Sequence, residues 1–180
     1  DIPENILKGV YAYGWEVPSP IQKKAIFPII SGRDTIAQSQ SGTGKTGSFT
    51  IASLSIVDEN LNEPQVLILA PVHDLAIQIY KTVNSLSHYA KTEASLLIGK
   101  GLNSSSFDKY DKREDIPNPN FNNQVFVGTP GRVLDSIQRN KLRINNMKLF
   151  ILDEADEMLS KGFKDQIRKI FSYLPQDMQV

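Results

Sequence analysis

The chain contains no cysteine at all. Disulfides and thiolate metal centres are excluded, and the composition fits a reducing compartment. Net charge is lacking too, because 20 Lys and Arg balance 20 Asp and Glu. Bulk electrostatics offers nothing to a polyanion, so any nucleic-acid binding has to come from local, well-aimed donors. No apolar run approaches the ~18 residues of a membrane helix, and no membrane partner is expected. The first residues, Asp1-Ile2-Pro3, carry neither an initiator Met nor a basic-then-apolar signal, which reads as a fragment cut from a longer protein. What remains is 40% hydrophobic and 22% charged residues over 180 positions, the profile of one globular domain with a substantial core.

Against these absences stands Ser41-Gly42-Thr43-Gly44-Lys45-Thr46, set directly after the short apolar run at 34–38. A strand that ends in such a loop and passes into a helix is suited to hold phosphate. Glycines let consecutive backbone N–H groups converge on an anion, and the helix N-terminus adds its positive dipole end. Lys45 would neutralise β- and γ-phosphates and the Thr46 hydroxyl would ligate Mg²⁺, which predicts a nucleoside triphosphate site. Ser39 stands where the generic pattern has glycine, and a Gly-rich turn without a ligand is the plain alternative.

Strand-like runs at 35–38, 65–70, 95–98, 124–128 and 149–153 alternate with helical stretches near 45–58, 74–89, 131–139 and 163–173. Continuous apolar runs such as Val66-Leu67-Ile68-Leu69 suit strands covered on both faces, hence a parallel sheet between helices. The fold class is therefore α/β of the phosphate-loop type. Two helical segments, near 4–12 and 20–30, precede the first strand. A mixed-charge helix candidate spans 107–115, and 117–123 reads as a loop. Gln179-Val180 reads as the start of a further strand, and Tyr11 and Tyr13 as packing the first helix.

The second strong element is Phe150-Ile151-Leu152-Asp153-Glu154, an apolar strand ending in two carboxylates. A phosphate-loop enzyme needs one carboxylate to hold Mg²⁺ through water and another to orient and deprotonate the attacking water. Asp153 suits the first role and Glu154 the second. The plain alternative is a strand end followed by an acidic first helical turn.

With Asp153-Glu154-Ala155-Asp156 in place, the chain resembles the DEAD-box RNA helicases over nearly its whole length. The resemblance covers 14–22, 39–46, 71–76, the Gly99 region, 129–132 and the acidic run with its extension to Phe163. Details at 11–14, 37–38 and 157–163 look closest to the translation-initiation branch of that family. It implies a three-layer α/β/α RecA-like (P-loop NTPase) domain over 34–180 with a mostly parallel central sheet. Residues 1–33 then form a helical extension carrying an adenine-recognising motif. The implied partners are ATP, Mg²⁺, RNA bound through its backbone, a second RecA-like domain of the same protein, and protein partners of an initiation-factor type. A cytoplasmic location is expected, with a nuclear one as the alternative.

The resemblance assigns adenine recognition to Gln22, whose amide donates to and accepts from the N6/N7 edge, with Trp15 packing against the base. Read locally, Ser19-Pro20-Ile21-Gln22 is also a capping box. Thr129-Pro130-Gly131-Arg132 reads locally first as a helix start and second as a phosphate clamp, and the resemblance assigns it to the RNA backbone. Pro71, His73, Gly99 and Lys100 fall on the same implied RNA surface, and Asp156 links the ATP site to a Ser-Ala-Thr motif that this sequence does not include.

Two motifs depart from the family pattern. Pro-Thr-Arg-Glu-Leu-Ala appears as Pro71-Val72-His73-Asp74-Leu75-Ala76, and the expected glycine pair as Gly99-Lys100-Gly101. A hydroxyl, a bidentate cation and a methylene are lost. These losses lie on the RNA side while the ATP side is intact, which raises a competing class: a nucleotide-responsive scaffold with weakened RNA coupling. In RecA-like folds one more strand lies between the phosphate-loop strand and the acidic-motif strand. The sequence to Val180 is therefore expected to be part of a larger folded unit, or to borrow that strand from a neighbouring chain.

Overall fold

The structure is a computed structural model and describes residues 1–40, 42, 44–99 and 117–180. Lys100, Ser41, Thr43 and the helix expected at 107–115 lie outside the described residues. Among the described residues four short strands form one parallel sheet: β1 (Val66–Leu69), β2 (Ala94–Leu97), β3 (Val125–Gly128) and β4 (Leu149–Leu152). Their spatial order is β2-β3-β1-β4, with Val66 opposite both Val125 and Leu149. Among the described residues seven helices surround it: α1 (Glu4–Ala12), α2 (Pro20–Ile30), α3 (Lys45–Ile56), α4 (His73–Leu86), α5 (Pro130–Gln138), α6 (Ala155–Ser160) and α7 (Lys164–Tyr173).

The alternation along β1 divides the core in two. Val66 and Ile68 join Ile6, Ile26, Ile51 and Ile79 from α1–α4 on one face. Leu67 and Leu69 join Val133, Met158, Ile167 and Ile170 from α5–α7 on the other. Successive strand side chains point to opposite faces, so a continuous Val-Leu-Ile-Leu run is stable only when both faces are covered. All four of these residues are fully buried, and the three-layer arrangement expected from the sequence is present.

One expected strand does not form. Residues 35–38 carry no strand, and Ile36 is 99% exposed. Among the described residues their link toward the sheet is one bond, Thr35 N donating to Val180 O at 3.1 Å. Apolar content does not make a strand without a ladder partner along its length. Gln179, by contrast, does begin a strand-like pairing: it bridges Leu149 in parallel, and Phe150 N donates to its carbonyl at 2.9 Å. The structure also contains a helix the periodicity did not single out, α6, only six residues long. Tyr11 is 60% exposed rather than packed, while Tyr13 meets Trp15 edge-on with centroids 4.7 Å apart.

Candidate functional site

The phosphate loop ends on Gly44, the N-cap of α3, at φ +96°. Gly42 sits at φ +80°. Both are left-handed conformations that glycine adopts without the steric cost of a Cβ. The Gly44 carbonyl is an anchor: it accepts from Ser48 N at 3.0 Å, Ser48 Oγ at 3.0 Å and Gln22 Nε2 at 3.4 Å. Lys45 and Thr46 follow as the first two residues of α3.

Of the two roles that its sequence context left open, Gln22 makes the capping box in the structure. Its Oε1 accepts from Ser19 N at 2.9 Å while Ser19 Oγ accepts from Gln22 N, so the capping box is made. Its amide nitrogen reaches the end of the phosphate loop, and Gln22 is buried. Trp15 lies against the same helix, and a Cβ on Gly47 would come within 2.8 Å of its ring and 2.7 Å of Gln22 Nε2. Gly47 is the signal missed in the sequence. Its missing side chain lets Trp15 and Gln22 rest on the phosphate-loop helix, α3.

Asp153 follows the last residue of β4, and its N–H donates to Leu69 O at 3.0 Å. Glu154 caps α6 at φ +52°, left-handed for a residue with a Cβ. Such a conformation costs on the order of 1 kcal/mol or more and is held where the surroundings over-determine it. Lys45 Nζ stands 3.9 Å from Glu154 Oε1, so the loop cation and the second carboxylate face each other. Burial, and then the neighbouring Glu154 charge, push the Asp153 carboxyl above the ordinary aspartate range. The Glu154 N–H and Lys45 oppose that shift.

A folded-state value above the unfolded one means the folded protein binds more protons. Stability therefore falls as pH rises through that window, and the cost is fully present above it. Asp153→Asn is accordingly expected to raise the melting temperature at pH 7, with the gain shrinking toward pH 4. Thermal melts across that range check it, and a lower melting temperature at pH 7 contradicts it.

Between residues 35–40 and β4 opens a cavity of about 620 Å³. Lys45, Ser48, Asp153, Glu154 and Asp156 line its polar part, and Ile36, Phe49 and Ile151 its apolar part. Among the described residues no group of three or more His, Cys, Asp or Glu is placed to hold a metal ion. A hydroxyl and a destabilised carboxylate nevertheless suit a hard cation that brings most of its oxygen ligands with it, the habit of Mg²⁺ on a polyphosphate. Thr46 and Asp153 fit such an ion on that ground.

The expected RNA-side residues fall in a row. Pro71 and His73 follow β1, Gly99 follows β2, and Thr129 to Arg132 follow β3. Because β2, β3 and β1 are adjacent and parallel, these segments leave the same edge of the sheet about 5 Å apart per strand. Asp153 and Glu154 continue the row at β4. Open parallel sheets place ligand sites at this carboxyl edge. Thr129 is the N-cap of α5 but makes no side-chain cap hydrogen bond, and a Cβ on Gly131 would meet nothing within 4 Å. At the start of α5 Thr129 and Pro130 are buried, while Gly131 is exposed. Asp135, which the sequence reading did not single out, holds Arg132 Nη1 at 3.2 Å, and its three-residue spacing on a helix was the available signal.

Residues 19–180 match the family model described as DEAD/DEAH box helicase. The chain is 53% identical over all 180 residues to the ATP-dependent RNA helicase eIF4A of Aspergillus clavatus, covering 43% of that protein. It is 51% identical over 180 residues to eukaryotic initiation factor 4A of Drosophila melanogaster, covering 42% of it. The chain thus spans less than half the length of these relatives. Among solved structures it is similar to Saccharomyces cerevisiae Dbp5 bound to RNA and ADP BeF3, with TM-score 0.83 and 38% identity over 99% of this chain and 43% of that one. It is also similar to a DEAD box protein from Methanococcus jannaschii, with TM-score 0.81 and 35% identity over 99% of this chain and 47% of that one. A phosphate loop facing Asp153-Glu154-Ala155-Asp156, on a fold shared with these proteins and a sequence half identical to the relatives, has one family reading: the chain belongs to the DEAD/DEAH box helicases.

Proposed function

We propose that this chain is the ATP-binding half of an ATP-dependent, RNA-stimulated RNA helicase that remodels RNA or RNA–protein complexes. The observation that carries the reading is the facing pair at the sheet edge, Lys45 Nζ 3.9 Å from Glu154 Oε1, continuous with the row at Pro71, Gly99 and Thr129. Lys45 binds the β- and γ-phosphates of ATP. Thr46, and Asp153 through water, hold Mg²⁺, which when bound supplies charge neutralisation on those phosphates. Glu154 orients the attacking water and accepts its proton. Gln22 reads the adenine edge and Trp15 packs against the base. Asp156 passes the state of the site to the rest of the protein.

RNA lies along Pro71, His73, Gly99, Lys100 and Thr129 to Arg132, held by its backbone and so without base selection. The RNA-bound Dbp5 neighbour supports this partner, the relative named eukaryotic initiation factor 4A supports a role in translation initiation, and the Dbp5 structure bound to Nup159 and Gle1 supports protein partners. A cytoplasmic location is part of the proposal. A second RecA-like domain closes over both sites and supplies the cations that stabilise the transition state, so the present chain alone binds nucleotide weakly and turns over little. The test is ATP turnover by the full-length protein with and without single-stranded RNA. Turnover that RNA does not stimulate sinks this reading and leaves a nucleotide-responsive scaffold.

The departures at 72–74 give a further expectation. Val72 is the N-cap of α4 and has no side-chain acceptor to cap it, while His73 is the first helical residue. Restoring Thr, Arg and Glu at Val72, His73 and Asp74 is expected to tighten RNA binding in the full-length protein by roughly threefold to tenfold, chiefly through the bidentate cation. Fluorescence anisotropy with a labelled oligonucleotide at fixed salt reads it. An unchanged affinity would make the three departures neutral.

A further inference from the structure

On α5 one carboxylate serves two guanidinium groups. Asp135 Oδ2 accepts from Arg132 Nη1 at 3.2 Å, and Asp135 Oδ1 accepts from Arg139 Nε at 2.8 Å. The three residues stand at i, i+3 and i+7, one face of the helix, with Arg132 in its first turn and Arg139 just past its last residue. A carboxylate with both oxygens available takes a guanidinium side-on, through two parallel bonds. Here the fork is split, because Arg139 occupies one oxygen and leaves Asp135 a single-point hold on Arg132.

The shorter of the two contacts belongs to Arg139, whose side chain is 65% exposed and sits about 10 Å along the helix from Arg132 at 1.5 Å rise per residue. Among the described residues Arg132 has no other hydrogen-bond or ion-pair partner. The result is an arginine held in direction by one bond, with the rest of its planar donor set available. That is the state wanted of a group that must take and release a phosphate, since two-point capture by Asp135 would compete with the ligand for the same donors.

We propose that Arg139 is a positioning residue for the RNA-backbone contact of Arg132: it keeps one oxygen of Asp135 occupied, so that the carboxylate orients Arg132 without chelating it. Arg139 touches no phosphate itself and acts only through Asp135. This inference rests on the RNA reading proposed above and names a residue that the phosphate-clamp motif at 129–132 does not include.

The test is a double-mutant cycle in the full-length protein, read by the single-stranded RNA concentration that half-maximally stimulates ATP turnover. Arg139→Ala is expected to raise that concentration about threefold to fivefold, the scale on which exposed ion pairs are worth measuring, with kcat at saturating RNA unchanged. Arg139→Lys, which still offers a cation to Asp135 Oδ1, is expected to restore most of the loss. In an Asp135→Asn background Arg139→Ala is expected to have no effect, because no carboxylate remains to close on Arg132. If Arg139→Ala costs the same in both backgrounds, Arg139 acts on RNA directly and the proposal is wrong. No effect in the wild-type background overturns it equally. Arg132→Ala separates the two levels: if that variant leaves RNA stimulation intact, the RNA reading itself has failed, whereas a loss there beside a null Arg139 result condemns only the positioning role. ADP affinity by calorimetry, expected unchanged in all variants, shows that the fold and the phosphate loop are intact.

Discussion

Glu154→Gln in the full-length protein is expected to lower RNA-stimulated ATP hydrolysis by about 10²–10⁴-fold, the usual range for removing a general base, while nucleotide still binds. The geometry makes the substitution unusually clean. Glu154 holds its left-handed φ of +52° through the backbone, which glutamine adopts as readily, and the Glu154 N–H still reaches Asp153 Oδ1. Size and shape are kept and only the ability to accept a proton is lost. Lys45 simultaneously loses the carboxylate 3.9 Å away. That pair is partly exposed and worth no more than ~1 kcal/mol, so ATP affinity is expected to stay equal or to tighten by up to about fivefold. Turnover by single-turnover kinetics and binding by calorimetry separate the two effects. Retention of a tenth or more of the wild-type rate would mean that Glu154 is not the proton acceptor.

Gly9→Ala is expected to destabilise the domain by about 2–4 kcal/mol, beyond the usual cost of an added methyl in a packed core. An alanine Cβ at Gly9 would lie 1.9 Å from the carbonyl oxygen of Leu86, a backbone atom at the end of α4 that cannot rotate away. Helix α1 must retreat by more than 1 Å, and it carries Ile6, which is 1% exposed in the core under the sheet. For a domain of this size the melting temperature should fall by roughly 5–15 °C. Gly14→Ala is the informative control. Gly14 is left-handed at φ +97° with nothing within 4 Å, so alanine there meets strain without a clash and is expected to cost about 1 kcal/mol. Equal effects of the two substitutions would show that α1–α4 contact is not what limits Gly9.

The placement of the candidate site was legible in the sequence because each element is a contiguous run. Gly42, Gly44, Lys45 and Thr46 lie within five positions, and Asp153 and Glu154 are adjacent. Contiguity fixes local geometry through helix starts and strand ends, and the structure places both runs at the same sheet edge. The capping box at Ser19 and Gln22 was legible for the same reason. Residues 35–38 misled because apolar content was read as strand, whereas a strand exists only through its neighbours. Thr129 shows the reverse case: its place as N-cap was readable, but whether its hydroxyl would bond the helix was not, and it does not.

What the sequence determined by itself was the alternation of buried strands and helices, the division of polar chemistry among a few short motifs, and the family to which these point. The first two follow from periodicity and local backbone preference, which act over a few residues, and the family follows from the resemblance of those motifs. Only the tertiary structure decided that Gln22 and Trp15 rest on α3 beside Gly47, that Gly9 meets a backbone oxygen of α4, and that Asp135 is divided between two arginines. These depend on distances between atoms, many of them far apart in the chain, which packing sets to within tenths of an ångström and no local pattern encodes.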